Sequence, residues 1–581
     1  MQGVPSRLTC SQVVIGGMVA CLGNACGGAV AETDGAAGTT TDGSTAEVPT
    51  LSSPTGMENP CAPSLSGWVT FSTPSGSFEG SVNVELQASE ASAEIRYTVD
   101  HTPPNADSPL YEVPLLFTET TELRVQAFTG GEPFGPPQTA VYLARSFDKS
   151  HDLPVLVLDS YGQAVPGAGL DLDPSDDPFS REYMSAAVLS FEPNAGVTSL
   201  AAPPVVASGA GVHVRGQSSA YFNKKPYRIE IRDALDADRD CPMFGMPSES
   251  DWVLYSPFPD KALIRNSFVY SLGRDMGMAA PRGRLVEVYV NSEPRALQSS
   301  DYQGVYLFVE NIKNQKYRLN LQQLEPGDTT LPDIQGGYIF KFEWQSANIE
   351  QFLACPEGAA YCWDWLDVAD PKPWNQEQQD YLVSHLVELS AAFHATNPAD
   401  PTLGYPAFID TASFVNHVII NELTKNMDGY VRSQYFYKDR DTKVFAGPLW
   451  DFDLIAGVGS SLGAFENISL EGWQYAHFES GWRTADWFHV LLNDPTFQAA
   501  LAERWRELRQ GVLSNAEIVA RIQGLSQGLA NAAQRNFEKW PILGSEYVQQ
   551  FETPTADTWQ GQVEVMQNWL LERALWLDSQ W

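Results

Sequence analysis

Three aspartates, Asp428, Asp451 and Asp453, are spaced so that a short hairpin would gather them. Asp410 reads as a helix N-cap, and Phe414, Val415, Val418, Ile419 and Leu423 trace one helical face behind it. The helix stops before a loop, Lys425-Asn426-Met427-Asp428-Gly429. Tyr430 to Tyr437 then alternates as a strand, and Lys443 to Trp450 returns beside it. If Tyr437 faces Lys443, Gly429 falls opposite Asp451, and Asp428 meets Asp451 at the open end of the hairpin. Asp453 projects to the same side if the chain stays extended. Clustered carboxylates in a low-dielectric cleft repel unless a proton or a divalent cation neutralises them, and an all-oxygen ligand set favours Mg2+ or Mn2+ over Zn2+. One carboxylate placed to take a proton from a hydroxyl, with another holding cation and phosphate, is the arrangement of phosphoryl transfer. The same spacing also suits a plain turn at Asp428-Gly429 and a surface loop or structural calcium site at Asp451.

A second group is cationic. Arg215, Lys224, Lys225 and Arg228 lie on two alternating runs joined by the small-residue loop Gly216-Gln217-Ser218-Ser219. Period two puts Lys225 on the apolar side with Tyr227, Ile229 and Ile231, and Lys224 on the other side with Arg228 and Glu230. Small-residue loops let backbone N–H groups approach phosphate oxygens. The alternative is a solvated hairpin. The island stands out because Lys plus Arg number 36 against 72 Asp plus Glu, a formal net charge of −36. Such a surface repels nucleic acid and anionic lipid, which excludes nucleic-acid binding as the main task. No long apolar run predicts a membrane span in the mature chain.

The elements around these groups divide the chain of 581 residues. Residues 1–31 read as a secretion signal. Cleavage after Ala31 leaves four of the seven Cys, whereas a lipoprotein-type box would anchor the chain through Cys21. Either reading predicts an exported or cell-envelope protein in which Cys355 and Cys362 close a disulfide loop. Residues 32–63 are a small-residue linker, and 64–145 alternate in short runs between Pro, Gly and Asp turns, the pattern of a small β-sandwich. Within 150–581 strand-like runs dominate from Val212 to Phe342 and helical periodicity dominates from Gln376, which predicts an α+β class with a mainly helical C-terminal half and a cleft between the two.

Several segments are similar to known families. Ile95-Arg96-Tyr97-Thr98-Val99-Asp100 and Leu123-Arg124-Val125-Gln126-Ala127-Phe128 resemble the chitobiase/hexosaminidase C-terminal-like modules, which implies a spacer or a contact with cell-wall glycan. Arg215-Gly216-Gln217-Ser218-Ser219, Lys224-Lys225-Pro226-Tyr227-Arg228-Ile229, Gly304 to Glu310, Asn426-Met427-Asp428-Gly429-Tyr430 and Trp450-Asp451-Phe452-Asp453 together resemble the spore-coat CotH kinase family. That resemblance implies an atypical protein-kinase-like, two-lobed domain that uses ATP and Mg2+ or Mn2+ to phosphorylate Ser or Thr of exported proteins. It implies Asp428 as catalytic base, Asp451 as principal metal ligand with Asp453 beside it, and Lys225 or Lys224 as the cation on the phosphates, with Arg215 nearby. Glu310 is expected to partner the metal or the lysine, Asn426 to orient Asp428 or add a metal contact, and Arg265 to reach phosphate or form a helix-surface salt bridge. Ser433 stands where protein kinases place a metal-binding Asn, so a second metal is expected to be held less well. A binding-only coat or adhesion protein, or a transferase of another group such as AMP, remains the alternative.

Overall fold

The computed structural model describes residues 59, 61–64, 67–165, 182–343, 353–361, 363, 366–462, 465–478 and 486–581. The expected signal segment, Cys21, most of the linker and Cys362 lie outside the described residues.

The N-terminal unit is all β. Strand β1 (Val69–Phe71) pairs with β4 (Leu86–Ala88), and β3 (Val82–Val84) pairs with β6 (Leu115–Phe117). A four-stranded sheet runs β2 (Gly76–Phe78), β8 (Glu132–Ala144), β7 (Thr121–Thr129), β5 (Glu94–Thr98). Alternation along β8 decides how the unit sits. Ala140 and Tyr142 join the unit's own core, whereas Val141 and Leu143 turn outward and pack on the next domain.

That domain begins with a closed seven-stranded barrel, ordered β10 (Met184–Phe191), β11 (Val206–Val214), β12 (Tyr227–Arg232), β13 (Asp251–Tyr255), β15 (Tyr302–Glu310), β14 (Gly283–Asn291), β9 (Val155–Asp159). Period two fills it: Leu156, Val188, Val212, Ile229, Trp252, Val288 and Phe308 share the interior. On the outer face Val155, Val157, Ala187 and Leu189 meet Val141 and Leu143 of β8. Val253, Tyr255, Leu307 and Val309 face the opposite way, into the helical core. Alternating runs alone do not distinguish an open sheet from a closed barrel, and so the closure is new information from the fold.

A second sheet runs β17 (Leu366–Asp370), β16 (Tyr338–Phe342), β18 (Gln434–Lys438), β19 (Val444–Ala446). Around it lie α1 (Arg265–Asp275), α2 (Gln376–Phe393), α3 (Thr411–Thr424), α4 (Asp486–Asn493), α5 (Pro495–Arg509), α6 (Asn515–Ser526), α7 (Ala530–Lys539) and α8 (Trp559–Asp578). The described residues are therefore α+β, as expected. Among them no helix is long and apolar enough to cross a membrane. The hairpin β18–β19 differs in register from the expectation: Tyr437 faces Phe445 rather than Lys443, because the turn takes in Lys443.

The β unit is fixed to the barrel. Buried Arg124 is bound by Glu122 at 3.1 Å and reaches Asp236 of the larger domain at 2.7 Å. Cys61, just ahead of the β unit, forms a disulfide with Cys241, closing a loop with a sequence separation of 180. Cys355 is also disulfide-bonded. Replacing Cys61 and Cys241 together by Ser is expected to cost about 2–4 kcal/mol of stability, since the crosslink mainly restricts the unfolded chain. Urea unfolding of the double variant checks this.

Candidate functional site

The site is built where α3 ends. Asp410 caps the helix by accepting from Ser413 N at 2.7 Å, and Lys425, with φ of 44°, ends it in the left-handed region. Asn426 turns its amide onto Asn421 Oδ1 at 3.0 Å, and its own Oδ1 accepts from Asp428 N at 3.2 Å. Both ends of Asn426 are thus spent on shaping the loop, which supports its expected orienting part rather than a metal contact. Arg432 follows one turn later and forms an ion pair from Nε to Asp428 Oδ1 at 2.9 Å.

The returning segment comes from the far side of the hairpin. Tyr270 and Asn266, both on α1, take the backbone N–H groups of Asp451 and Phe452 at 3.2 and 2.7 Å. Ser433 Oγ donates to Asp451 Oδ2 at 3.2 Å. Asn467 ties the two arms together, its Nδ2 lying 3.1 Å from Lys425 O, 2.9 Å from Leu454 O and 3.0 Å from Val458 O. Tyr430, Ser433 and Asp451 all have positive φ, of 70°, 52° and 65°. Non-glycine residues are strained there, and such strain collects at functional sites.

The structure brings the three aspartates into one electrostatic group. Burial pushes Asp428 up to about 6, with Asp451 and Glu343 adding repulsion against the pull of Arg432. Burial raises Asp451 as well, opposed by Arg215 and reinforced by Glu343. Asp453 is held well above the carboxylate range by burial, then by Asp451, with Asp428 adding to it. The hairpin register differed by two residues from the expectation, yet the acids still converge, because α1 and Asn467 place the returning segment independently of the strand pairing.

Of the expected cations, Arg215 belongs to this group. Its guanidinium stands 5.5 Å from the Trp450 ring and draws Asp451 downward. Lys225 instead donates from Nζ to Ala220 O at 2.7 Å. Lys224 does not face the site: its Nζ binds Val305 O and Asn536 Oδ1 at 2.5 and 2.8 Å, joining the barrel to α7. Both lysines precede β12, so period two did not govern them. Glu310 is also placed elsewhere, between Arg282 at 2.6 Å and Arg318 at 2.8 Å. Arg265 is fully buried on Asp260 at 2.5 Å and reaches Ile455 O and Ala456 O, so its salt bridge is internal and braces the chain just beyond Asp453.

Sequence reasoning missed Lys341 and Glu343. Phe340 and Phe342 point into the core, so Lys341 and Glu343 take the opposite side, which faces Asp428 and Asp451. The signal was present as one cation and one acid alternating with buried aromatics, but the site it faces is assembled from distant segments.

Among the described residues no three His, Cys, Asp or Glu side chains already stand together as a metal cage. The charge balance nevertheless fits a cation. Glu343, Asp367, Asp428, Asp451 and Asp453 are grouped with Lys341, Arg215 and Arg432, an excess of two negative charges when all are ionised. One divalent ion would offset that, and Asp451 and Asp453 are the carboxylates that would hold it.

A stability signature follows from the raised Asp428. An unfolded aspartate ionises near 3.8, whereas the folded site keeps the proton to about 6. The favourable contribution is therefore complete below the unfolded value and is lost as pH rises through about 6. Without divalent cations, wild type is expected to lose stability relative to Asp428→Asn between about pH 4 and 7, by up to about 3 kcal/mol. Thermal melts across that range with EDTA test this, and Mg2+ should narrow the gap.

Two family models match the sequence. The CotH kinase protein model covers residues 212–577, and the chitobiase/beta-hexosaminidase C-terminal domain model covers residues 73–138. No curated protein matches the chain.

Proposed function

This chain belongs to the CotH kinase family, and on that premise we propose that it is an exported, ATP-dependent, divalent-metal-dependent kinase acting on Ser or Thr hydroxyls of exported or cell-surface proteins. The observation that carries the reading is that buried Asp428 and Asp453 and half-buried Asp451 lie within electrostatic reach of one another, with Arg215 beside Asp451. The two-lobed kinase-like reading of the domain is part of this proposal. Asp428 takes the proton of the acceptor hydroxyl as its oxygen bonds to the γ-phosphorus and the bond from that phosphorus to the ADP oxygen breaks. Asn426 and Arg432 hold Asp428 in place for that transfer. Asp451 and Asp453 would hold the cation, which supplies positive charge to the phosphate oxygens when bound. Arg215, stacked beside Trp450, binds phosphate at the mouth of the group. Lys225 follows the Gly/Ser loop and is held there on Ala220 O, and its burial lowers its affinity for its proton.

Export is supported by the Cys61–Cys241 crosslink, which persists in oxidising compartments. A soluble exported chain and one anchored through Cys21 are both compatible with that. The docked β unit is proposed as a fixed support for the barrel.

Incubation of the purified chain with ATP, Mg2+ or Mn2+ and exported proteins tests the reading by intact mass. The expected result is a gain of roughly 80 Da per Ser or Thr, absent with Asp451→Asn. A gain of roughly 329 Da would indicate adenylyl transfer instead, and no transfer together with no nucleotide binding would leave a binding-only protein.

A further inference from the structure

Strand β13 ends in a hydroxyl that its packing does not use. Alternation along the strand puts Trp252 and Leu254 inside the barrel and turns Val253 and Tyr255 to the helical core, where Tyr255 shares a cluster with Leu307, Trp450 and Phe452. A phenylalanine ring would fill that place equally well. The phenol oxygen is buried and makes no well-directed hydrogen bond with any described residue. A buried donor left in that state costs stability, so the core alone does not explain a tyrosine here.

That oxygen stands beside Asp453. Burial and the repulsion of Asp451 favour the protonated form of Asp453, and Tyr255 is the side chain that opposes them. In return burial, then Asp453 and Asp451, keep the proton on Tyr255. The hydroxyl is therefore a donor, and the carboxylate next to it is a matching acceptor. The other proposed ligand already has such a donor, since Ser433 Oγ donates to Asp451 Oδ2 at 3.2 Å. Two hydroxyls from different elements, the end of β13 and the loop before β18, thus stand one beside each acid.

Resting on the proposed phosphotransferase reading, we propose that Tyr255 is a positioning residue for the divalent cation, its hydroxyl holding the Asp453 carboxylate for the ion as Ser433 holds Asp451. No covalent bond is made or broken. The hydrogen bond that is incomplete in the cation-free protein is completed when the ion is held, so Tyr255 adds to cation affinity what its idle hydroxyl takes from cation-free stability. Asn266 and Tyr270 act on the same segment through its backbone, which leaves the Asp453 side chain to Tyr255.

Mn2+ titrated into the full chain without nucleotide, with the free ion followed by electron paramagnetic resonance, reads this without turnover. Tyr255→Phe is expected to weaken Mn2+ binding on the order of tenfold. Its thermal midpoint in EDTA is expected to equal that of wild type or to rise, because an unsatisfied donor has been removed. A structural hydrogen bond would give the opposite sign in EDTA, so a variant that melts lower there, or does not fold, overturns the proposal. Unchanged Mn2+ affinity overturns it too and leaves the phosphotransferase reading intact. Wild type that takes up no Mn2+ also overturns it, and the intact-mass assay then decides that reading separately.

Discussion

Asp428→Asn is expected to lower phosphoryl transfer by about 10²–10⁴-fold at saturating nucleotide, the usual contribution of a positioned general base. Mg·ATP affinity should stay within a few fold, because the amide preserves shape and Asp428 is separated in role from the cation ligands. Asp451→Asn should behave differently, weakening metal-dependent nucleotide binding as well as turnover. Neither variant is expected to be less stable than wild type without divalent cations, since each removes a charge that burial opposes more than Arg432 or Arg215 favours it. Steady-state transfer, calorimetry and thermal melts on the two variants separate these effects. Equal loss of turnover and of nucleotide affinity in Asp428→Asn would contradict its assignment as base.

Arg573→Leu is expected to destabilise the fold by about 3–5 kcal/mol, the cost of leaving a buried charge without its partner. Arg573 lies on α8 and is fully buried. It donates to Glu422 O at 2.9 Å, and to Leu470 O and Gly472 O at 2.7 and 2.8 Å. Its second nitrogen approaches Glu422 Oε2 at 3.3 Å. Glu422 in turn accepts from Tyr430 OH, Gln474 N and Tyr475 N at 2.9, 2.8 and 3.0 Å. Tyr430 is two residues beyond Asp428, so this network fixes the loop that carries the proposed base. Replacing Arg573 alone strands Glu422, whose burial already raises its affinity for a proton. Denaturant unfolding should show the full loss. Replacing Glu422 by Gln together with Arg573→Leu should recover part of it, because no isolated charge remains.

What was legible in the sequence depended on how local the signal was. The N-cap at Asp410, the end of α3 near Lys425 and the hairpin after Asp428 follow from residues within a few positions of one another, and the α+β class from the succession of periods. The meeting of Asp428, Asp451 and Asp453 was also legible, because a hairpin converts sequence distance into proximity by counting. The count was two residues out at the turn, and the convergence survived only because Asn266, Tyr270 and Asn467 hold the returning segment. Those supports lie on α1 and in a loop after the hairpin, and no periodicity links them to it.

The lysines show the opposite case. Lys224 and Lys225 stand out as a pair in an acidic chain, yet Lys224 is spent on Asn536, a residue 312 positions away. Lys341 is inconspicuous in sequence, and its meaning comes from Asp367 and Tyr435 on the two flanking strands. Glu310 was read as a strand-end acid facing the site, but the barrel closes and turns that strand end toward Arg282 and Arg318. Barrel closure is a long-range property of seven strands and leaves no mark on any one of them.

The most direct test is a crystal of the full chain grown with Mn2+ and a non-hydrolysable ATP analogue, measured for the anomalous signal of manganese. The account predicts a manganese peak coordinated by Asp451, with Asp453 in the same coordination sphere and the phosphates between that ion and Arg215. A nucleotide bound elsewhere, or a manganese ion that neither aspartate touches, would contradict it.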